Sequence, residues 1–254
     1  MHADNFVLQD YLDRIGFAGA AQADLASVAG IMRCQLFSVP FENLDVQAGK
    51  IVSLVPEEIV EKIVGRRRGG YCYEVNGLFA MALQALGVTY RFVAARPMFY
   101  PVKRPKTHMA VVATLDGVDY LCDLGFGSYG IRAPMRLDLL DVAVQQDQDS
   151  FMLSRPNGVD YLLQALVDGV WANQFGFDLS PQDWIDFVPA NYLNSTHPDA
   201  IFVQKLLIVL HNPDGRHIFV GDTLKTVRHG ATATEVVAPA ARAALLRDTF
   251  NLPS

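Results

Sequence analysis

Three residues in this chain combine the right chemistry with informative surroundings: Cys72, His108 and Asp123. Cys72 lies in Arg68-Gly69-Gly70-Tyr71-Cys72-Tyr73-Glu74-Val75-Asn76. The glycine pair permits a close backbone approach just before a helix. An apolar stripe then runs through Val75, Leu78, Phe79, Ala82, Leu83 and Leu86, with Gly87 as its stop. Cys72 therefore falls in the first helical turn, where unpaired amides and the helix dipole favour a thiolate. A packing cysteine is the ordinary alternative. It is the better reading of Cys34, which sits inside an amphipathic helix.

His108 and Asp123 are joined by a hairpin. Asp116-Gly117 between two apolar runs is a strong two-residue turn signal. Leu115 then pairs with Val118, His108 lies opposite Gly125, and Asp123 lies opposite Ala110. The histidine and aspartate become diagonal neighbours on one face, about 7–8 Å apart at the backbone and within side-chain reach. A three-residue loop would send them to opposite faces. The same alternation turns Cys122 away as a packing residue. Alone, His108 reads as a structural histidine and Asp123 as a strand-end cap. With an activated cysteine they fit the pattern of nucleophile, base and orienting carboxylate. His2, His197, His211, His217 and His229 lack such company and read as ordinary, with His197 in a loop or lid. Arg66-Arg67-Arg68 reads as a solvated loop, in which Arg68 is a candidate partner for Glu42.

The positioning elements change character along the chain. Phe6, Leu8, Tyr11, Leu12 and Ile15 recur at helix spacing before Gly16. Asp24 can cap a helix carrying Leu25, Val28, Met32 and Leu36. Val39 to Asp45 reads as an ordered loop, and Pro56 opens a helix through Val64. After Gly87 the period becomes that of strands: Val88 to Ala95, Thr107 to Leu115, Val118 to Asp123, Phe151 to Arg155, Val159 to Val167 and Val170 to Phe177. Ser180-Pro181 is placed to cap a short helix with Trp184 and Phe187. Strands near Ile201 to His211 and His217 to Val220 precede a closing helix from Ala238 to Phe250. Helices, then antiparallel strands, then a mixed tail indicate an α+β class.

Bulk properties narrow the function classes. Hydrophobic residues make up 51% of 254 and charged residues 19%, enough for a large core. The net charge of −6 argues against a nucleic-acid or anionic-membrane partner. No apolar run reaches the roughly 18 residues of a membrane span, and Met1 to Asp10 does not read as a secretory signal. Three cysteines, an odd number, suit free thiols in a cytoplasmic protein. With no C-x-x-C or H-E-x-x-H spacing, no metal site is expected.

At this point the chain resembles the arylamine N-acetyltransferase family, in its bacterial form. Val39-Pro40-Phe41-Glu42-Asn43-Leu44, the Arg68 to Asn76 segment, His108 on its strand and Leu121-Cys122-Asp123-Leu124-Gly125-Phe126-Gly127 carry the resemblance, with Asn194 to Pro198 and Phe202 adding to it. It implies an N-terminal helical bundle (1–87), a central antiparallel β-barrel-like domain (88–190) and a C-terminal α/β lid (191–254), around a cysteine-protease-like catalytic core. It implies a triad of Cys72, His108 and Asp123 and a ping-pong reaction. Acetyl-coenzyme A would acylate the cysteine, and an arylamine, arylhydroxylamine or hydrazine would take the acetyl group, as in xenobiotic metabolism. Phe41 and Phe126 would line the acceptor pocket. Thr107, Gly127 and Phe202 would meet the pantetheine end of coenzyme A. A monomer or homodimer is expected. The same three residues would also serve an amide synthase, or a hydrolase or transglutaminase-like enzyme. A non-catalytic binding module retaining the fold is the reading from another class.

Overall fold

The capping residues set the first helices where the sequence places them. A computed structural model describes residues 1–127 and 129–253. Helix α1 (Leu8–Ile15) ends at Gly16, which adopts a left-handed φ of 71°. Helix α2 (Leu25–Ser38) starts at Asp24, whose carboxylate accepts from the Ser27 amide at 2.7 Å. A two-residue strand β1 (Phe41–Glu42), a short helix α3 (Leu44–Gln47) and helix α4 (Pro56–Val60) follow, and a π-helical turn over Glu61–Gly65 extends α4.

Helix α5 (Cys72–Ala85) begins on the candidate nucleophile. The sequence predicts one apolar stripe, yet every residue from Cys72 to Leu83 is buried. The reason is its central place. α1, α4 and the strands β2 (Thr89–Pro97) and β3 (His108–Leu115) all pack on it. A helix covered all round carries apolar and small residues on all its faces.

The remaining strands of the middle region are β4 (Val118–Cys122), β5 (Met135–Arg136), β6 (Val144–Gln146), β7 (Asp149–Ser154), β8 (Tyr161–Val167) and β9 (Val170–Phe177). They form an antiparallel eight-stranded sheet in the order β5-β4-β3-β2-β9-β8-β7-β6, which curls into a half-barrel. The β3–β4 hairpin has the expected register: Leu115 pairs with Val118 and Val111 with Cys122. Asp116 and Gly117 both take positive φ, 51° and 76°, as a tight turn of matching twist requires.

The last third departs from expectation in several places. Asp183, not Ser180, stands at the start of the 3-10 turn Trp184–Phe187, because Asp186 reaches back to its amide at 2.7 Å. This turn runs into helix α6 (Val188–Thr196), so the expected boundary at 190 falls inside a helix. The segment from Ile201 begins as helix α7 (Ile201–Gln204) instead of a strand. Local bonds from Val203, Gln204 and Lys205 back to Ala200 and Ile201 close the turn, and Asn43 holds its end. Its amide nitrogen donates to the carbonyls of Phe202 and Lys205 at 2.7 and 2.8 Å, and its oxygen accepts from Leu207 N at 2.7 Å. Strand pairing then starts with β10 (Leu207–Asn212) and continues through β11 (Gly215–Val220), β12 (Thr223–Arg228) and β13 (Ala231–Val236). β1 completes this second sheet, in the order β1-β10-β11-β12-β13, so the helical third and the C-terminal third interlock. Sequence reasoning missed β12 and β13. β13 is exposed along its whole length and alternates only Ala with Thr, with no large apolar residue before Val236. Helix α8 (Arg242–Phe250) closes the chain over a small core of Ile208, Leu210, Phe219 and Phe250. No helix among the described residues is long and apolar enough to cross a membrane.

Candidate active site

Cys72 is held where α5 starts and where the loop after β4 crosses it. Gly125 makes that crossing possible. A Cβ at residue 125 would lie 2.5 Å from the Cys72 Cα and 2.9 Å from its Cβ. Glycine is therefore required there for close approach, not for a turn. Among the described residues, no acceptor takes the backbone amides of Cys72 and Tyr73, so both remain directed outward from the helix start.

The hairpin brings His108 and Asp123 together as the diagonal register demands. The His108 Nε2–H donates to Asp123 Oδ2 at 2.8 Å, and both side chains are buried. The other carboxylate oxygen, Oδ1, accepts from Asn76 Nδ2 and from the Gly125 amide, each at 2.9 Å. Asp123 is therefore fully hydrogen-bonded and fixes the imidazole plane. Nδ1 of His108 is left for exchange with the Cys72 thiol, with which the ring interacts. Burial alone would lower the affinity of His108 for a proton. The Asp123 charge and hydrogen bond outweigh it, Cys72 adds to them, and the pKa is pushed up to about 10. The ring is an imidazolium at neutral pH.

Asn76 belongs to this site, although its type and place gave sequence reasoning no role for it. It sits one turn after Cys72 on α5 and makes three bonds across to the hairpin. Its Nδ2 also donates to Met109 O at 2.7 Å, and its Oδ1 accepts from Leu124 N at 2.9 Å. The helix that carries the thiol is thereby tied to both strands that carry the histidine and aspartate. Asn194 of α6 does similar work beside His108. With the Tyr73 hydroxyl it donates to the Thr107 carbonyl, both at 2.9 Å.

Cys72 and His108 open onto a cavity of about 480 Å³, lined also by Phe41, Phe99, Phe126, Thr107 and Phe202. Its wall is aromatic. The Phe126 ring stands 5.1 Å from the His108 ring and 4.8 Å from Phe175, and Phe41 stands 5.9 Å from Phe202. Five of the sequence-selected residues thus share one cavity with the thiol, and Asp123 stands behind His108. Gly127 lies outside the lining; its carbonyl is turned to His211, whose Nε2–H donates to it at 2.9 Å. Cys34 lies in α2 and Cys122 is buried in the sheet, away from the cavity as the alternation predicts. Arg68 does pair with Glu42, at 2.7 and 3.0 Å through two nitrogens.

Comparison with known proteins gives this site its class. A profile of the N-acetyltransferase family matches residues 24–253. The chain is 35% identical to an arylamine N-acetyltransferase of Mycolicibacterium smegmatis, over 89% of this chain and 84% of that protein. It is 32% identical to a human arylamine N-acetyltransferase over 85% and 82%. The solved structure of the arylamine N-acetyltransferase from M. tuberculosis superposes with a TM-score of 0.92, covering 97% of this chain and 94% of that one at 32% identity. A Mycobacterium marinum arylamine N-acetyltransferase solved in complex with CoA superposes with a TM-score of 0.91, over 97% and 93% at 32% identity. The protein is an enzyme, an acyltransferase. The chain belongs to the arylamine N-acetyltransferase family.

Proposed function

We propose that this enzyme moves the acetyl group of acetyl-coenzyme A to arylamines, arylhydroxylamines or hydrazines through an acetyl-Cys72 intermediate. The observation that carries the reading is the single line of contacts from Cys72 through His108 to Asp123 at the floor of an aromatic cavity. This is a cysteine-protease-like core put to acyl transfer.

The steps follow from the charges. In this reading His108 holds the proton that Cys72 gives up, so that the sulfur attacks as a thiolate. The thiolate attacks the thioester carbonyl of acetyl-coenzyme A. The free amides of Cys72 and Tyr73 are placed to receive the developing oxyanion. The bond to the coenzyme A sulfur breaks, and His108 gives that sulfur its proton. One thioester has replaced another, so no outside energy source is needed. An aromatic amine, largely uncharged at neutral pH, then attacks the acetyl-cysteine with its lone pair. Neutral His108 takes the proton released, and Cys72 leaves as the thiolate. Asp123 keeps the imidazole in the tautomer and plane both transfers need. Phe41 and Phe126 form the acceptor wall and keep water from the thioester. Thr107 and Phe202, which line the cavity, would meet the pantetheine arm, and Gly127 would reach it from outside that lining. The free thiols suit a cytoplasmic enzyme.

The test is turnover of acetyl-coenzyme A with a panel of arylamines and hydrazines, using Cys72→Ala as control. Acetylated amine from the native enzyme alone is expected. Peptide cleavage or amide synthesis without acetyl transfer would overturn the reading.

A further inference from the structure

We infer that Glu74, clamped by Lys62, is a positioning residue for Cys72: its carboxylate folds back over the helix start and fixes the peptide that precedes the nucleophile. The inference rests on Cys72 being the nucleophile and extends that reading to a group outside the cavity. Glu74 is the third residue of α5. One of its oxygens, Oε2, accepts from the Tyr71 amide at 3.0 Å, next to Cys72 in the chain. The other, Oε1, is held by Lys62 Nζ at 2.7 Å. Lys62 is in turn fixed by Asp45 Oδ2 at 2.6 Å, and Glu42 Oε1 lies 3.9 Å away. Arg68 binds the same Glu42 oxygen. Three carboxylates and two cations thus form a closed cluster directly beneath the nucleophile's helix start.

The glycine pair before Cys72 finds its purpose here. A Cβ on Gly70 would lie 2.7 Å from the Glu74 Cβ and 2.8 Å from its Oε2. A Cβ on Gly69 would lie 2.1 Å from the Pro40 carbonyl. Only glycine lets residue 70 pass beneath the folded-back carboxylate while its N–H and C=O pair with Pro40 O and Glu42 N at 3.2 and 3.0 Å. The Tyr71 peptide is then held on both sides: by β1 through Gly70, and by Glu74 through its own N–H. A buried carboxylate with this many partners is costly unless its cation stays in place. Burial pushes the Glu74 pKa up to about 7; Lys62 opposes the rise and Glu42 adds to it. Lys62 holds the folded-back carboxylate in place against the Tyr71 amide.

The test measures Cys72 alkylation by iodoacetamide across the neutral pH range, with Cys34 in the same protein as reference. Glu74→Leu removes the acceptor and keeps the volume. It should slow Cys72 roughly tenfold or more, as small displacements of reacting groups do, and shift its pH profile, while Cys34 is unaffected. Lys62→Met with Glu74→Gln removes both charges together but keeps an oxygen for the Tyr71 amide. It should restore Cys72 to within about threefold of native, the scale of a retained cap. A folded Glu74→Leu protein with native Cys72 reactivity would overturn the inference, as would a double variant as slow as the single. If Glu74→Leu unfolds, seen as a rise at Cys34, the double variant decides in the same two directions. Alkylation needs no acetyl donor, so a failure of acetyl transfer leaves this comparison standing.

Discussion

Two histidines of this protein are equally buried and behave oppositely. His108, on β3, faces the Asp123 carboxylate and the Cys72 thiol, and its pKa is pushed up to about 10. His211, on β10, is pushed down to about 3, by burial first and then by Arg132 and Arg216. Those two guanidiniums share Asp149, at 2.6 and 2.8 Å, and leave no carboxylate for the ring. His211 donates instead to the Gly127 carbonyl and so holds the loop that follows Asp123 and Phe126. One buried imidazole carries a proton to exchange; the other is a neutral brace. Burial lowers both; at His211 the two guanidiniums add to it, and at His108 the Asp123 carboxylate overrides it.

The comparison breaks most visibly at His108. His108→Gln should lower kcat for acetyl transfer by about 10²–10⁴-fold, the scale of lost acid–base catalysis. Steady-state kinetics at saturating acetyl-coenzyme A measures it. Asp123→Asn comes next, with a loss on the order of 10³-fold expected from the wrong tautomer. It should also bring the His108 titration, followed by NMR, down from its raised value. A histidine that stays raised without the carboxylate would break the contrast with His211.

Smaller effects sharpen it. Asn76→Ala removes the side-chain partners of Met109 O and Leu124 N and one of the two donors to Asp123 Oδ1, and should cost about 1–3 kcal/mol in denaturant unfolding. A further effect is in the pH dependence of stability, where the two histidines have opposite signs. His108 binds its proton more tightly folded than unfolded. Its contribution is full below about 6.5 and is lost as pH rises toward about 10. His211 is protonated first in the unfolded chain, so stability is lost as pH falls from about 6.5 toward about 3. His211→Gln should flatten the acid limb of the thermal midpoint against pH, and His108→Gln the alkaline limb.

Much of the site could be read before the fold was seen, because it depends on local signals. A glycine pair before an apolar helix placed Cys72, and an Asp-Gly turn fixed the register that joins His108 to Asp123. The role of His211 was not legible. Its neighbours Arg132, Asp149 and Arg216 come from three distant stretches, and its sequence context, beside a turn, is that of an exposed residue. Asn76 was overlooked for a related reason: an amide that bridges a helix and two strands has no periodic signature. The α7 turn was read as strand because its apolar run continues into β10, and the Asn43 side chain that holds its end is far away in sequence. Interactions within a hairpin or a helix start leave a pattern in the chain, whereas contacts between sheets leave only residue types.

The proposed reaction passes every acetyl group through the Cys72 sulfur. The direct measurement is the intact mass of the enzyme after brief exposure to acetyl-coenzyme A without acceptor, followed by peptide mapping. One acetyl group on Cys72, discharged on adding an arylamine and absent in Cys72→Ala, is the predicted result. An unmodified Cys72 in an enzyme that still acetylates amines would contradict it.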